Sequence, residues 1–391
     1  MKKRVLAIFL CVIMACSIAA CGDSGKENSN NTENSQNSES SQSQNVKQPS
    51  VEKLADYSDL SVILSGDYEI TEDVLKAYFS EMLYDRGIGM KKVTDRDTVQ
   101  AGDIVKTDYT GYVNGQKFSG GSTITDGTSN PQWIDVSNNS GFDVTTGQPS
   151  GGFIPGFTDG LVGAKIGEPA DSPVVFPESY DRDSTLEDGS TLNLANQPAT
   201  FQFVVHEIYE EVTPENITDE FVVENFSEAY EVNTVAEFMV FLEKELAYNY
   251  TINYLMENST FDIPEEYLNV RLEDYQAYFE EVYCANMELD EYLSYYGYTV
   301  EQMRAEWLAQ LESQVKAELV FAAMVEQEKL TLDEAGHEEY IQKIIDANGE
   351  YFPDAESIYK SAGAGNAEAG EAYMKNQTAV RDNFFVNYTV E

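Results

Sequence analysis

The chain has 391 residues, roughly two to three ordinary domains, so more than one folded unit is expected. Lys and Arg total 24 against 69 Asp and Glu, and the formal charge of −45 repels phosphate backbones and excludes nucleic acid as a partner. Hydrophobic residues at 42%, with 12% aromatic, suffice for sizeable cores once a polar stretch near the start is set aside.

Residues 1–21 place Lys2, Lys3 and Arg4 ahead of a short apolar run ending in small residues, which is the layout of an export signal and too short for an ordinary transmembrane helix. The run closes on Ile18-Ala19-Ala20-Cys21, which resembles the bacterial lipobox. Cleavage after residue 20 would leave Cys21 as a lipid-modified first residue, and two acyl chains suffice for stable anchoring. A plain secretory signal is the alternative. Cys11 and Cys16 fall in the removed segment, so Cys284 alone remains in the mature body, forms no internal disulfide and reads as a buried small hydrophobe. Residues 21–53, dominated by Ser, Asn, Gln and Glu, read as a disordered tether with a reach of roughly 30 Å.

Order is expected from residue 54. Leu60, Val62 and Leu64 alternate as a short strand, and Thr71 is placed to cap a helix through Tyr84 with Val74, Leu75, Tyr78 and Met82 on one face. This strand-helix segment, 54–92, is assigned to the helical domain. Residues 93–209 are rich in Gly, Thr, Val and Phe and form one α+β domain on an antiparallel sheet. Val105, Thr107 and Tyr109 share one strand face, and Phe201, Phe203 and Val205 share another. Between them, 156–163 predicts a short helical turn bounded by glycines.

From residue 210 the pattern becomes helical. Thr234 with Glu237, and Thr299 with Gln302, form candidate capping boxes, and Pro264 opens a helix carrying Leu268, Leu272, Tyr275, Phe279 and Val282. The first box opens an apolar stripe through Phe238, Leu242 and Leu246, the second one through Trp307, Leu311, Val315 and Leu319. At least two further helical stretches lie in the tail from Asp333 around a break at 363–370.

Acid-base and metal chemistry find little support. His206 and His337 lack a Cys or His at ligand spacing, no nucleophile elbow occurs, and the glycine pairs lack the context of a nucleotide loop. His206 is expected on the solvent side of its strand. No metal or cofactor is therefore expected. What remains is an aromatic set, Tyr109, Phe118, Phe142, Phe153, Phe157, Tyr180 and Phe203, which spacing alone reads as core.

Four segments give this set another meaning: 102–112, 117–122, 153–168 and 176–180 occur in the order found in the FKBP family of peptidyl-prolyl isomerases, which they resemble. Ile217-Thr-Asp-Glu-Phe221 and Phe261-Asp-Ile-Pro-Glu-Glu266 resemble the C-terminal chaperone domain of trigger factors. The whole is similar to a trigger factor whose ribosome-binding domain is replaced by a lipoprotein signal and tether. The resemblance implies an FKBP-like antiparallel sheet wrapping a short helix at 93–209 and an all-α chaperone domain at 210–391. It also implies that Tyr109, Phe118, Phe142, Phe153, Ile154, Phe157, Tyr180 and Phe203 line a proline pocket. Phe157 would be its floor, and the Ile154 N–H would bind a substrate carbonyl. Ser119, counted with Phe142 as substrate-binding, departs from the Asp of small FKBPs, and 119–150 is longer than in relatives. The expected function is a lipid-anchored, extracytoplasmic isomerase and chaperone for proline-containing unfolded chains, with no ribosome partner. A holdase with an inactive pocket is the main alternative. A solute-binding lipoprotein would need alternating βα units, which the helical stretch does not offer.

Overall fold

The structure, a computed structural model, describes residues 46–284 and 287–387. The expected signal, Cys21 and most of the expected tether lie outside the described residues. Two compact units emerge: one is Thr71–Leu242, and the other joins the chain up to Ile70 with Glu243 onward.

Order begins earlier than expected. Ser50–Lys53 forms strand β1, antiparallel to Thr260–Asp262 with Val51 opposite Phe261, and Lys47 pairs with Asp262. Partners more than two hundred positions away gave the polar stretch no local sign of this. The strand expected at 60–64 is instead a one-turn helix, α1 (Leu60–Ile63). Asp59 caps it by accepting from the Ser61 N–H at 3.1 Å, a local bond that an alternation with no neighbouring strand cannot match.

In the 71–242 unit, Thr71 caps α2 (Glu72–Asp85) by accepting from the Val74 N–H. Its buried face centres on Phe79 and Leu83, with Leu75, Tyr78 and Met82 at the flanks. Twelve strands follow: β2 (Met90–Lys92), β3 (Ile104–Val113), β4 (Gln116–Ser122), β5 (Ile124–Thr125), β6 (Thr128–Ser129), β7 (Gln132–Asp135), β8 (Ser140–Asp143), β9 (Gln148–Gly152), β10 (Pro169–Val175), β11 (Asp183–Thr185), β12 (Thr191–Asn193) and β13 (Pro198–Glu211). Eight of them form one sheet in the order β10-β13-β3-β7-β8-β9, with β2 also paired to β13 and β4 to β3. Val105, Val113, Phe201, Phe203 and Val205 pack into one core with Phe157 and Leu161. The segment expected as a short helical turn, 156–163, is a run of turns in which Phe157, Asp159, Leu161 and Ala164 each donate to the carbonyl three residues back. Glycines at both ends and at 160 shorten it below one stable helical stretch. Helix α3 (Asp219–Tyr230) and the start of α4 (Val235–Asn258) close a second core through Phe226, Phe238 and Leu242 against Phe79 and Leu83.

In the other unit, α4 continues to Asn258, followed by β14 (Thr260–Asp262), α5 (Glu265–Phe279), α6 (Leu289–Tyr295), α7 (Val300–Glu328), α8 (Glu334–Asn348), α9 (Ala355–Ala362) and α10 (Ala367–Asn387). Both capping boxes form, with Thr299 Oγ1 accepting from the Gln302 N–H at 3.2 Å and Thr234 Oγ1 from the Glu237 N–H at 3.2 Å. Pro264 is the N-cap of α5, and α5 runs into a π-helical turn at Glu280–Cys284. That turn leaves Val282 exposed and Cys284 buried. The α7 stripe moves off Leu319 to Val320, Phe321 and Met324, because the 3.6-residue period drifts across a helix of 29 residues. The break after α9 is 363–366, and Gly370 lies inside α10. A Cβ on Gly370 would stand 1.9 Å from the Tyr359 carbonyl oxygen, so glycine there admits the close approach of α9 and α10. No helix among the described residues is long and apolar enough to cross a membrane.

Candidate functional site

The antiparallel register of β3 and β13 sets Tyr109 opposite Phe203 and Gly111 opposite Phe201, which brings three rings to one sheet face. The turns after β9 deliver Phe157 onto that face. Its ring centroid lies 5.1 Å from Tyr109, 4.7 Å from Phe201, 5.0 Å from Phe203 and 4.3 Å from Phe153, which stacks on it. Phe157 is 3% exposed and Phe203 is fully buried, whereas Tyr109, Phe153, Ile154 and Tyr180 are half-buried around them. The arrangement is a buried aromatic floor with a partly exposed apolar rim.

Phe118 enters from β4. Its ring fills the space left by two glycines, since a Cβ on Gly111 or Gly121 would stand 2.5 Å from it. It meets Phe201 at 5.9 Å and Phe176 at 5.7 Å, and Phe176 in turn carries Tyr180 at 4.9 Å. Phe201 and Phe176 were not among the expected pocket residues. Their signals were present, as Phe201 continues the alternation of Phe203 and Phe176 heads the segment ending in Tyr180.

One expected member is elsewhere. Phe142 packs with Tyr84 and Ile104 in a separate cluster, 6.2 Å from the Tyr84 ring, because the β8–β9 hairpin carries it away from the turns that hold Phe157. Ser119 is exposed, and its backbone carbonyl accepts from Ser184 Oγ at 2.8 Å. An open cleft of about 970 Å³ along the β10 edge is lined by Tyr112, Asp159, Asp171, Pro173 and Gln202 among others; none of the gathered rings lines it.

Behind Tyr109 lies a polar brace. Thr123 Oγ1 accepts from the Tyr109 N–H at 3.0 Å and donates to buried Asp108 at 2.6 Å, while Ser129 Oγ donates to the same carboxylate at 2.5 Å and His206 Nε2 lies 2.8 Å from it. His206 is on the outer face, as expected, but it is bound to this carboxylate rather than merely solvated. Burial works to raise the Asp108 pKa, and the bonds from Ser129, Thr123 and His206 together outweigh it and hold the group below its ordinary value. A depressed carboxyl stabilises the fold above its unfolded pKa of about 3.9 and loses that contribution as pH falls through the lower folded value. Asp108→Asn should therefore cost about 1.5–3 kcal/mol at neutral pH and flatten the acid limb of stability below about pH 4. Urea melts of both proteins at several pH values test this; parallel acid limbs would refute it.

Among the described residues no cluster of His, Cys, Asp and Glu could hold a metal ion. The site offers rings, an exposed rim and backbone amides, a chemistry of desolvation and shape rather than proton exchange.

Residues 95–206 match the profile of FKBP-type peptidyl-prolyl cis-trans isomerases, and residues 243–365 match that of the bacterial trigger factor C-terminus. Trigger factor of Halalkalibacterium halodurans is 29% identical over 306 residues, covering 76% of this chain but only 64% of its own length. That of Macrococcus caseolyticus is 28% identical over 344 residues, covering 85% of this chain and 71% of its own. A solved structure of the trigger factor chaperone is 16% identical, covers 87% of this chain and 73% of its own, and superposes with a TM-score of 0.26.

Proposed function

We propose that this chain, which matches an FKBP-type isomerase profile and the trigger factor C-terminus, isomerises X–Pro bonds in unfolded polypeptides, holds those polypeptides on its helical unit, and works from the outer face of a bacterial membrane. The observation that carries the first part is the buried Phe157 floor among Tyr109, Phe153 and Phe203 beneath a half-exposed rim.

The barrier to rotation about a peptide bond, about 18–20 kcal/mol, comes from amide resonance, and the planar ground state is more charge-separated than the twisted one. An aromatic floor that seats the pyrrolidine ring strips water from the adjoining carbonyl and favours the twisted form. The Ile154 N–H takes a substrate carbonyl and fixes the chain while the bond turns. No residue exchanges a proton.

The helical unit supports holding through exposed rings near one stretch of chain: Tyr283, Tyr295, Tyr296 and Tyr298 are 54%, 83%, 59% and 46% exposed. Tethering such a surface to a prolyl site raises the local concentration of client prolines. The outer-face assignment rests on the basic cluster at 2–4, the apolar run and the Ile18–Cys21 box, with Cys21 as the lipid attachment point. A protein so exported has no use for the ribosome as a partner.

The full chain should accelerate cis-trans exchange in a prolyl tetrapeptide and suppress aggregation of a refolding client. Exchange at the uncatalysed rate would leave only holding. Cells fed an alkyne fatty acid should label the wild type and not Cys21→Ala; an unlabelled wild type in the soluble fraction would overturn the anchor.

A further inference from the structure

Asn139 closes the connection between β7 and β8 in the left-handed region, at φ 49°, a conformation that asparagine tolerates better than most residues. It makes five hydrogen bonds to the segment that follows β9. Its backbone carbonyl accepts from the Phe153 N–H at 2.9 Å; its Nδ2 donates to the carbonyls of Phe153 at 3.2 Å and Ile154 at 3.0 Å; its Oδ1 accepts from Thr158 N at 3.1 Å and Thr158 Oγ1 at 3.2 Å. One side chain thus ties the dipeptide at the rim to the residue directly after the floor.

The Phe153 carbonyl and the Ile154 N–H belong to the same planar, trans peptide unit and so point in opposite directions. Holding that carbonyl toward Asn139 aims the Ile154 N–H away from Asn139. The second bond, to the Ile154 carbonyl, fixes the next peptide plane, which also accepts from the Phe157 N–H at 3.1 Å. Two planes in succession leave the Ile154 amide little freedom to swing.

We infer that Asn139 is a positioning residue for prolyl isomerisation, its carboxamide aiming the Ile154 N–H at the substrate carbonyl without touching substrate. This rests on the isomerase reading of the site. It assigns to a turn residue outside the aromatic set control over the orientation of the one backbone donor used in the reaction.

Glycine and aspartate at this position separate the possibilities. Asn139→Gly keeps the left-handed backbone and the bond from Phe153 N–H but removes the carboxamide. Asn139→Asp keeps the volume and both bonds from Thr158, yet it loses the donor and sets a carboxylate against two carbonyls. In the full-length protein, Asn139→Gly should lower kcat/KM for a prolyl tetrapeptide by about tenfold or more, mainly in kcat, since the apolar contact surface that sets KM is retained. Asn139→Asp should be no milder, whereas a role in filling space or accepting from Thr158 would make it nearly silent. Aggregation suppression should be unchanged in both. An active wild type matched by Asn139→Gly, or by Asn139→Asp, overturns the inference alone. A wild type with no acceleration overturns the isomerase reading and the inference together. Should the glycine variant fail to fold, the aspartate comparison decides.

Discussion

Replacing Phe157 by alanine is expected to lower kcat/KM for prolyl peptides by roughly sixtyfold. The pyrrolidine ring presents three methylenes to the floor, and burying each contributes about 0.8 kcal/mol, so losing the floor forfeits about 2.4 kcal/mol of transition-state stabilisation. The same substitution should destabilise the 71–242 unit by about 3–5 kcal/mol, because Phe157 is 3% exposed and makes ring contacts with Tyr109, Phe153, Phe201 and Phe203. Urea melts fix the temperature range in which the variant is folded, and turnover is compared within it. Phe157→Leu, which keeps an apolar floor of similar bulk, should lose about 1 kcal/mol of stability and only a minor part of the activity. Equal turnover by folded Phe157→Ala and wild type would show that the ring is packing alone.

The largest loss of stability in the helical unit is expected from Arg271→Ala. Arg271 is 2% exposed, bonds Glu318 through both terminal nitrogens at 2.9 Å, and reaches Tyr267 Oη at 3.1 Å and the Gly363 carbonyl at 3.0 Å. It thereby links α5, α7 and the end of α9. Burial opposes its charge, and Glu318 more than offsets this, so the guanidinium stays protonated. Removing it strands a carboxylate among buried groups at a cost of about 3–5 kcal/mol. Calorimetry should show a lowered transition and aggregation suppression should fall, while prolyl turnover at 25 °C is retained, since every partner of Arg271 lies in the helical unit. The double change Arg271→Met with Glu318→Leu should recover most of the loss, as an apolar pair replaces an ionic one. A double variant as unstable as the single one would place the cost in lost packing instead.

Features decided within a few residues were legible in the chain. The caps at Thr71, Thr234 and Thr299 and the alternation through Phe201, Phe203 and Val205 each depend on neighbours or on one buried face. Features decided across long separations were not. Phe142 reads like any ring of the set, and only the β8–β9 hairpin, which returns it to Tyr84, removes it from the site. Strand β1 looks like more of the polar stretch until Thr260–Asp262 offers it a partner. Asn139 carried no mark of its role, because its five bonds go to residues brought near by the hairpin between them.

The pairing of β1 with β14 also has a mechanical side. Any pull on the chain ahead of residue 50 reaches the backbone ladder Ser50–Asp262, Val51–Phe261 and Lys53–Thr260 before it reaches the helical core. Tension from the N-terminal side is thus passed sideways into the link between α4 and α5, and the packed rings and capped helices feel it only after that short ladder has given way.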